Sequence, residues 1–383
     1  MKGPTVALLG LGTVGSAVAR QLLNPPPWLV ERLGGVPRLK WVLVRCPEKP
    51  RPVRVDRSLL TTDPERALGD PEVDVVIELI GGVEPARQFV VRALEAGRSV
   101  VTANKALLAE SLAELAALAR RRGVELAFEG AVAGGVPIIR PLLRCLAANR
   151  VRRLRAVLNG TCNYVLTLVE QGATLEAAVR AAQEAGYAEA DPSDDLSGRD
   201  AARKLAILAM LVTGEPVDWT GVRRTGLDDP GFRQSLAATA ERPGTRAHWR
   251  LVASADWEGQ VPRLAVQPEL LPPGDPLLQA AGVENMILIE ADPVGTVRFA
   301  GPGAGGDATA SAVLADLIAI WRGDRLPLPD LAGRGAARQV AAAAAAADPA
   351  PAAAGARGPA HPVPAAGSPP APGGDPAGGL QAG

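Results

Sequence analysis

Residues 5–15 constrain the fold of this chain more than any other stretch. Thr5–Leu9 (TVALL) reads as a short buried strand and runs directly into Gly10-Leu11-Gly12-Thr13-Val14-Gly15. Ala17, Val18 and Leu22 then recur at helical spacing until Asn24-Pro25-Pro26-Pro27, which is expected to stop the helix. Strand, GxGxxG and helix in this order form the context that a dinucleotide-binding turn requires. Gly10 permits the tight turn, Gly12 lets the backbone approach a pyrophosphate, and Gly15 lets helix and strand pack closely. The helix start supplies free N–H donors and a positive dipole end for phosphates. A parallel sheet covered on both faces is therefore expected to open the chain.

The next hundred residues agree with that sheet. Lys40–Val44 reads as a second strand, ending at Arg45 in the loop Cys46-Pro47-Glu48-Lys49. An acidic residue there would bind a ribose 2′-hydroxyl, whereas an arginine suits a 2′-phosphate, so Arg45 favours NADP over NAD. The alternative leaves Arg45 solvated and gives the ribose to Glu48. Val73–Ile80 is apolar apart from Asp74 and Glu78, close to what a strand buried on both faces should be, and Gly81-Gly82 ends it. Pro85–Ala96 reads as a helix, Ser99–Thr102 as a strand, and Lys105 opens a helix to about Arg121. Lys105 thus sits just past a strand end, on the side where a nicotinamide should lie. Glu125–Phe128 is a further strand, followed by the turn Glu129–Pro137, rich in glycine. That turn reads either as a hinge or as a place where carbonyls and the Glu129 carboxylate meet a hard monovalent cation.

The second informative stretch is Gly186–Leu211. Its first part is acidic and turn-forming, with Glu189, Asp191, Asp194 and Asp195 among Gly, Pro and Ser. From Arg199 the pattern is helical, and Ser197 with Asp200 has the spacing of a capping box. Asp200 and Lys204 stand four residues apart and share a helix face with Ile207, Leu208 and Leu211. The charged pair therefore lies in line with the core-facing stripe. A lysine at the edge of a buried pocket, held by a carboxylate, is placed to give up and take a proton. Glu189, a loop away, could bind a substrate ammonium; otherwise it is a solvated loop acid.

GYAEADPSDDLSGRDAARK resembles the signature of the homoserine dehydrogenases, and VVTANKALLA, NGTCNY and GPGAG are similar to further motifs of that family. The resemblance covers about residues 3–325. It implies an α/β fold: an N-terminal Rossmann-type parallel sheet plus an α+β substrate and dimerisation domain with a mixed sheet. The implied limits are 1–133 for the dinucleotide domain, completed by about 301–325, and 134–300 for the substrate domain. It further implies NAD(P)-dependent interconversion of L-homoserine and L-aspartate 4-semialdehyde, a step toward threonine, methionine and isoleucine. Lys204 would be the general acid/base, Asp200 its support, and Lys105 a neighbour of both nicotinamide and substrate. Glu189 would hold the substrate's amino group, with Gly160, Thr161, Tyr187 and Asp194 at the same site, and Gly303 would lie near the nicotinamide. A monovalent cation, taken to be sodium, would be liganded at Glu129, Val132, Gly134 and Val136. Short β-like runs over 245–300 fit the mixed sheet, whose exposed face would pair two subunits into a homodimer.

From about Leu331 the chain is mostly Ala, Pro and Gly without a periodic apolar face, so residues 331–383 read as a low-complexity, disordered tail. Many bacterial members of the family carry a regulatory ACT domain here; its strand and helix patterns are absent, and feedback inhibition by threonine through one is not expected. Lys plus Arg equals Asp plus Glu, 41 each, which gives no electrostatic case for a nucleic-acid or membrane partner. Three scattered cysteines and two histidines form neither a disulfide framework nor a zinc spacing, as suits a reducing cytosol. The apolar run at the N-terminus is too short and glycine-broken for a signal peptide, and no run of ~20 apolar residues exists. Two other readings compete: a phosphorylating semialdehyde dehydrogenase using Cys162 as nucleophile, and a non-catalytic NADP-sensing module.

Overall fold

A computed structural model describes residues 2–240, 248–258 and 262–331. The expected tail from 332 onward lies outside the described residues. Among the described residues the chain forms two six-stranded sheets. The first contains β1 (Lys2–Leu9), β2 (Val36–Leu43), β3 (Leu60–Thr61), β4 (Val75–Glu78), β5 (Ser99–Thr102) and β6 (Leu126–Ala127), in the order β3-β2-β1-β4-β5-β6. Every pairing in it is parallel. Parallel neighbours need crossovers, and the chain supplies helices: α1 (Thr13–Leu23), α2 (Pro27–Leu33), α3 (Pro64–Leu68), α4 (Ala86–Glu95) and α5 (Lys105–Arg122).

Alternation along β1 shows why both faces are covered. Val6 and Leu8 point into a core with Val18, Leu22, Leu29 and Leu33 from α1 and α2. Ala7 and Leu9 point the other way, into a core with Val90, Leu94, Leu107 and Leu112 from α4 and α5. All four β1 side chains are fully buried, so β1 is the strand on which the lobe is assembled. Local signals set the helix limits: the Asn104 side chain accepts from Leu107 N at the start of α5, and Gly123 closes it in a left-handed conformation.

After β6 the chain crosses into a second sheet, built from β7 (Arg150–Val157), β8 (Arg223–Arg224), β9 (His248–Asp256), β10 (Arg263–Leu271), β11 (Glu284–Asp292) and β12 (Gly295–Pro302). Its order is β12-β11-β7-β9-β10-β8; only the β8–β10 pairing is parallel, so the sheet is mixed. One face is covered by α6 (Gly160–Glu170), α7 (Leu175–Glu184), α8 (Ser193–Leu196) and α9 (Arg199–Thr213), with α10 (Pro230–Ala240) beyond them. The chain then returns as α11 (Gly306–Trp321), which packs its Val313, Leu314 and Leu317 into the β1 core. The crossing is tied down by acids. Glu129 Oε1 accepts from the amides of Ile138 and Ile139 at 2.6 and 2.7 Å, and Oε2 from that of Arg140 at 2.9 Å. Asp316 of α11 accepts from the Glu129 amide at 2.7 Å and pairs with Arg140 at 3.2 Å.

The prolines stop α1 at Leu23 as expected, and Pro27 then begins α2, because proline fits the first turn, where its missing N–H is not needed. Two sequence expectations need correction. Ser197 and Asp200 form no capping box: Gly198 is the N-cap, with φ 75°, and separates α8 from α9. Ser197 Oγ donates instead to Ser193 O at 2.6 Å. Finally, α9 is not a one-faced helix; Asp200, Ala201, Ala202 and Lys204 through Leu211 are all buried.

The fingerprint turn is the tightest part of the first lobe. A Cβ on Gly15 would lie 2.3 Å from the Gly10 carbonyl oxygen, and one on Gly10 would lie 2.5 Å from that of Leu79. Gly15→Ala is expected to lower the free energy of unfolding in urea by about 1–3 kcal/mol through overpacking. A wild-type midpoint for that variant would mean the helix and turn are not in this contact.

Candidate active site

The carboxyl ends of β1, β2 and β4 meet at one edge of the first sheet, and a cleft of about 1190 Å³ opens there. Its walls include Gly10 to Thr13, Arg45 and Cys46, Leu79 to Gly81, and Gly306 with Asp307. A cleft at this edge is where doubly wound sheets bind ligands. Gly12 faces open space, with no atom within 4 Å of where a Cβ would be, while Val14 and Gly15 stand behind the wall. Glu48, the alternative ribose acceptor, is engaged by Arg57. Arg45 is exposed and enters no ion pair or hydrogen bond among the described residues. Arg51 folds the intervening loop by donating to the carbonyls of Cys46, Pro47 and Lys49 at 2.6, 3.2 and 2.7 Å.

Gly303 is not in this wall. It is buried against Asn285, whose Oδ1 would lie 1.2 Å from a Cβ, and its carbonyl would meet a Cβ on Gly134 at 2.5 Å. The residue of the glycine-rich run that reaches the cleft is Gly306, three positions on, because the helix α11 begins there. Lys105 is likewise beyond the wall, one residue after Asn104.

Asn104 connects the cleft to the chemistry next door. Its Nδ2 donates to Gly82 O at 2.7 Å and, at 3.4 Å, to Glu78 Oε1. Glu78 is fully buried, so desolvation raises its pKa, yet it accepts from Thr102 Oγ1 at 2.6 Å and from Ile80 N at 2.7 Å. This buried acid holds the turn at 79–82 and the start of α5 in one network.

From the start of α5, Lys105 Nζ reaches Asp200 Oδ1 at 3.1 Å. The other oxygen of Asp200, Oδ2, accepts from Lys204 Nζ at 2.8 Å. Lys204 Nζ also donates to Leu158 O at 2.7 Å, and no acceptor among the described residues takes its third hydrogen. Burial pushes Asp200 up, but Lys204, Lys105 and the hydrogen bonds outweigh it and hold the carboxyl well below the usual carboxylate range. The Asp200 charge in turn raises the Lys105 pKa. Lys105 comes from the first lobe and Lys204 and Asp200 from the second, so this ion-paired triad lies where the lobes meet.

Two residues that sequence reasoning left without a role belong to the cluster. Asn159 Nδ2 donates to Asp195 Oδ1 at 2.7 Å and to Asp200 Oδ2 at 2.9 Å. Burial, and then the Asp200 charge, raise the pKa of Asp195. The only sequence signal for Asn159 was its place before Gly160, at the start of α6, where its Oδ1 accepts from Cys162 N. Thr161 Oγ1 donates to Tyr187 O at 2.7 Å and ties this turn to the acidic loop. The Tyr187 ring is largely exposed and sits edge-on to Tyr164, with centroids 4.9 Å apart. Gly160 is packed against Val283 O. Asp194 is occupied by Arg199 and Arg203, so its neighbour Asp195 is the acid that faces the triad. Glu189 is exposed and forms no ion pair among the described residues. Cys162 is buried; its Sγ donates to Asp195 O, and burial pushes the thiol well up.

Comparison with known proteins covers both lobes. A family model described as the homoserine dehydrogenase NAD-binding domain matches residues 10–129, and one described as homoserine dehydrogenase matches 137–318. A homoserine dehydrogenase of Bacillus subtilis is 40% identical over 332 residues, covering 85% of this chain and 75% of that protein. The crystal structure of one from Thiobacillus denitrificans superposes with a TM-score of 0.76 at 38% identity, covering 84% of this chain and 74% of that one. A hyperthermophilic archaeal homoserine dehydrogenase in complex with NADPH superposes with a TM-score of 0.69 at 27% identity, covering 86% and 100%.

Because the folded-state pKa of Asp200 is depressed, its contribution to stability is complete above the unfolded value of about 4 and fades as pH falls below it. Asp200→Asn should cost about 3–5 kcal/mol at neutral pH, since it leaves the buried Lys204 ammonium, and the half-buried Lys105 beside it, without their anion. Urea denaturation of both proteins from pH 7 to 3 should show that difference narrowing below pH ~4. A difference that stays constant over the whole range would mean Asp200 is not ionised against the lysines.

Proposed function

Because the chain belongs to the homoserine dehydrogenase family, a family of oxidoreductases, we propose that it interconverts L-homoserine and L-aspartate 4-semialdehyde with Lys204 carrying the proton. The observation that carries this assignment is Lys204 itself: buried, fixed by Asp200 and Leu158 O, with one N–H unspent among the described residues. When bound in the cleft at Gly10 to Thr13, NAD(P)H supplies the hydride to the aldehyde carbon. In that direction the Lys204 ammonium delivers a proton to the oxygen that becomes the alcohol, and in the other it takes the proton back. Asp200 keeps the amine in place in both protonation states. Lys105, held on the same carboxylate, polarises the carbonyl. Glu189, Tyr187 and the Gly160-Thr161 turn form the side of the site that takes the substrate's ammonium. Asp195 joins them in the place expected for Asp194.

We assign residues 1–133 with 301–325 to dinucleotide binding and 134–300 to the substrate and to pairing of two subunits. The outer face of the second sheet would form the pairing surface. Arg45, facing the cleft without a partner among the described residues while Glu48 is taken, supports NADP as the preferred cofactor. A monovalent cation, sodium, would be held by Glu129 and the carbonyls of Val132, Gly134 and Val136. In support, these three buried or half-buried backbone carbonyls receive no hydrogen bond among the described residues, and the donor set is entirely oxygen. Its charge would brace the crossing between lobes and takes no part in the chemistry. Cytosolic placement is supported by three cysteines that form no disulfide. Among the described residues no helix is long and apolar enough to cross a membrane.

Against a phosphorylating dehydrogenase, the Cys162 thiol is buried and held protonated, the opposite of an activated nucleophile. A sensing module would have no use for two lysines and an acid converging from separate lobes.

Lys204→Ala should reduce kcat by about 10²- to 10⁴-fold in assays with homoserine, the range positioned acid–base catalysis supplies. Turnover within a few-fold of wild type would reject the proton-carrier role. Arg45→Ala should lower kcat/KM for NADP by about 10- to 100-fold, as loss of a charge-assisted hydrogen bond predicts, and leave NAD nearly untouched. Equal effects on the two cofactors would remove Arg45 from the 2′-phosphate.

A further inference from the structure

The triad rests on a residue that carries no charge. Asn159 is 4% exposed and spends all of its side-chain polarity. Its Oδ1 accepts from the Cys162 amide at 2.8 Å, and its two amide hydrogens go to two different carboxylates, Asp195 Oδ1 and Asp200 Oδ2. The amide has only one workable orientation, because turning it over would set its oxygen against two anions and its NH₂ against an N–H. Asp200 Oδ2 therefore has two donors, Asn159 and Lys204, while Oδ1 is left to Lys105. Among the described residues, Asp195 has Asn159 as its only side-chain donor.

Without the Asn159 amide, the buried Asp200 and the half-buried Asp195, five residues apart in sequence, would face one another and both lysines. Coulomb repulsion would push one to take a proton or to rotate toward an ammonium. The groups facing Asn159 are Asp195 from α8, Asp200 and Lys204 from α9, Lys105 from α5, and the Cys162 thiol from its own helix.

We propose that Asn159 is a positioning residue for the proton transfer: by donating one hydrogen to each acid it assigns Asp200 to the two lysines and keeps Asp195 away from them, facing the substrate side. This rests on the reading of Lys204 as the proton carrier. It also separates two jobs of Asn159, capping α6 and ordering the acids.

Two variants keep the cap and remove the second job. Asn159→Ser retains an oxygen for Cys162 N but cannot reach both acids. Asn159→Asp retains size and cap but can donate at most one hydrogen, and only when protonated. Asn159→Ser should unfold near the wild-type midpoint, Asn159→Asp near it at low pH and below it as its carboxyl ionises, and both, while folded, should bind NADPH, followed by its fluorescence, with unchanged affinity. In both, kcat should fall about 100-fold, the cost of roughly 1 Å of misplacement at the reacting groups, with little change in KM for NADP. The ratio of Asn159→Asp to wild-type kcat should fall with rising pH as its carboxyl ionises beside two others. For Asn159→Ser that ratio should stay flat.

A folded Asn159→Asp that turns over like wild type at every pH overturns the proposal. So does loss of activity that only tracks loss of folded protein, in either variant or in both. Lys204→Ala in the same series keeps the two readings apart. If it is active, the proton-carrier assignment fails; if it is inactive while both Asn159 variants are active, only the positioning role fails.

Discussion

One buried carboxylate holds this molecule's two lobes to a common task. Asp200 accepts Lys204 from its own helix and Lys105 from a helix of the other lobe. Removing a carboxylate from water is expensive, and it is tolerated only when several donors meet it in good geometry. Here two ammonium groups and an amide do so. The arrangement therefore exists only when both lobes are folded and apposed. A second buried acid, Glu78, works in the same way on the nucleotide side, gathering Thr102, Ile80 and Asn104 so that the cleft wall and the start of α5 cannot move independently. Between them, these two acids connect the wall of the cleft to the Lys204 amine.

The features legible in the sequence were those written locally. The GxGxxG turn announces itself because Gly10 and Gly15 answer contacts with the adjacent strand and within the turn while Gly12 leaves the cleft open, and the first sheet is spelled out by the apolar runs. The Asp200–Lys204 pair was legible because four residues along a helix is one turn. The partnership of Asn159 with Asp195 and Asp200 was not, because the residues are 36 and 41 positions apart and only the meeting of α6, α8 and α9 makes them neighbours. The divergence of Asp194 and Asp195 was not legible for a related reason: on so short a helix one acid turns toward Arg199 and Arg203 and the other toward Asn159.

Some local signals carry a double meaning. The prolines after Asn24 act in both senses, since α1 stops ahead of them at Leu23 and Pro27 then begins α2. A serine followed by an acid three residues on resembles a cap, yet Gly198 takes that place and frees the acid for the lysines. In the run from Gly301 to Gly306, composition marks a close approach but not which glycine makes it. Gly303 serves packing between the lobes, and Gly306 serves the cleft.

The late return of α11 has a consequence for how such a chain is made. Its Val313, Leu314 and Leu317 complete the face of the first sheet that Val6, Leu8 and Val18 begin, and Gly306 closes the cleft wall. As the ribosome releases the chain, the first lobe must wait with that apolar face partly bare while the whole second lobe emerges. Nascent-chain vulnerability is thus concentrated in the lobe that carries the glycine signature, and its cleft is finished only after the second lobe has emerged, although that signature is translated well before it.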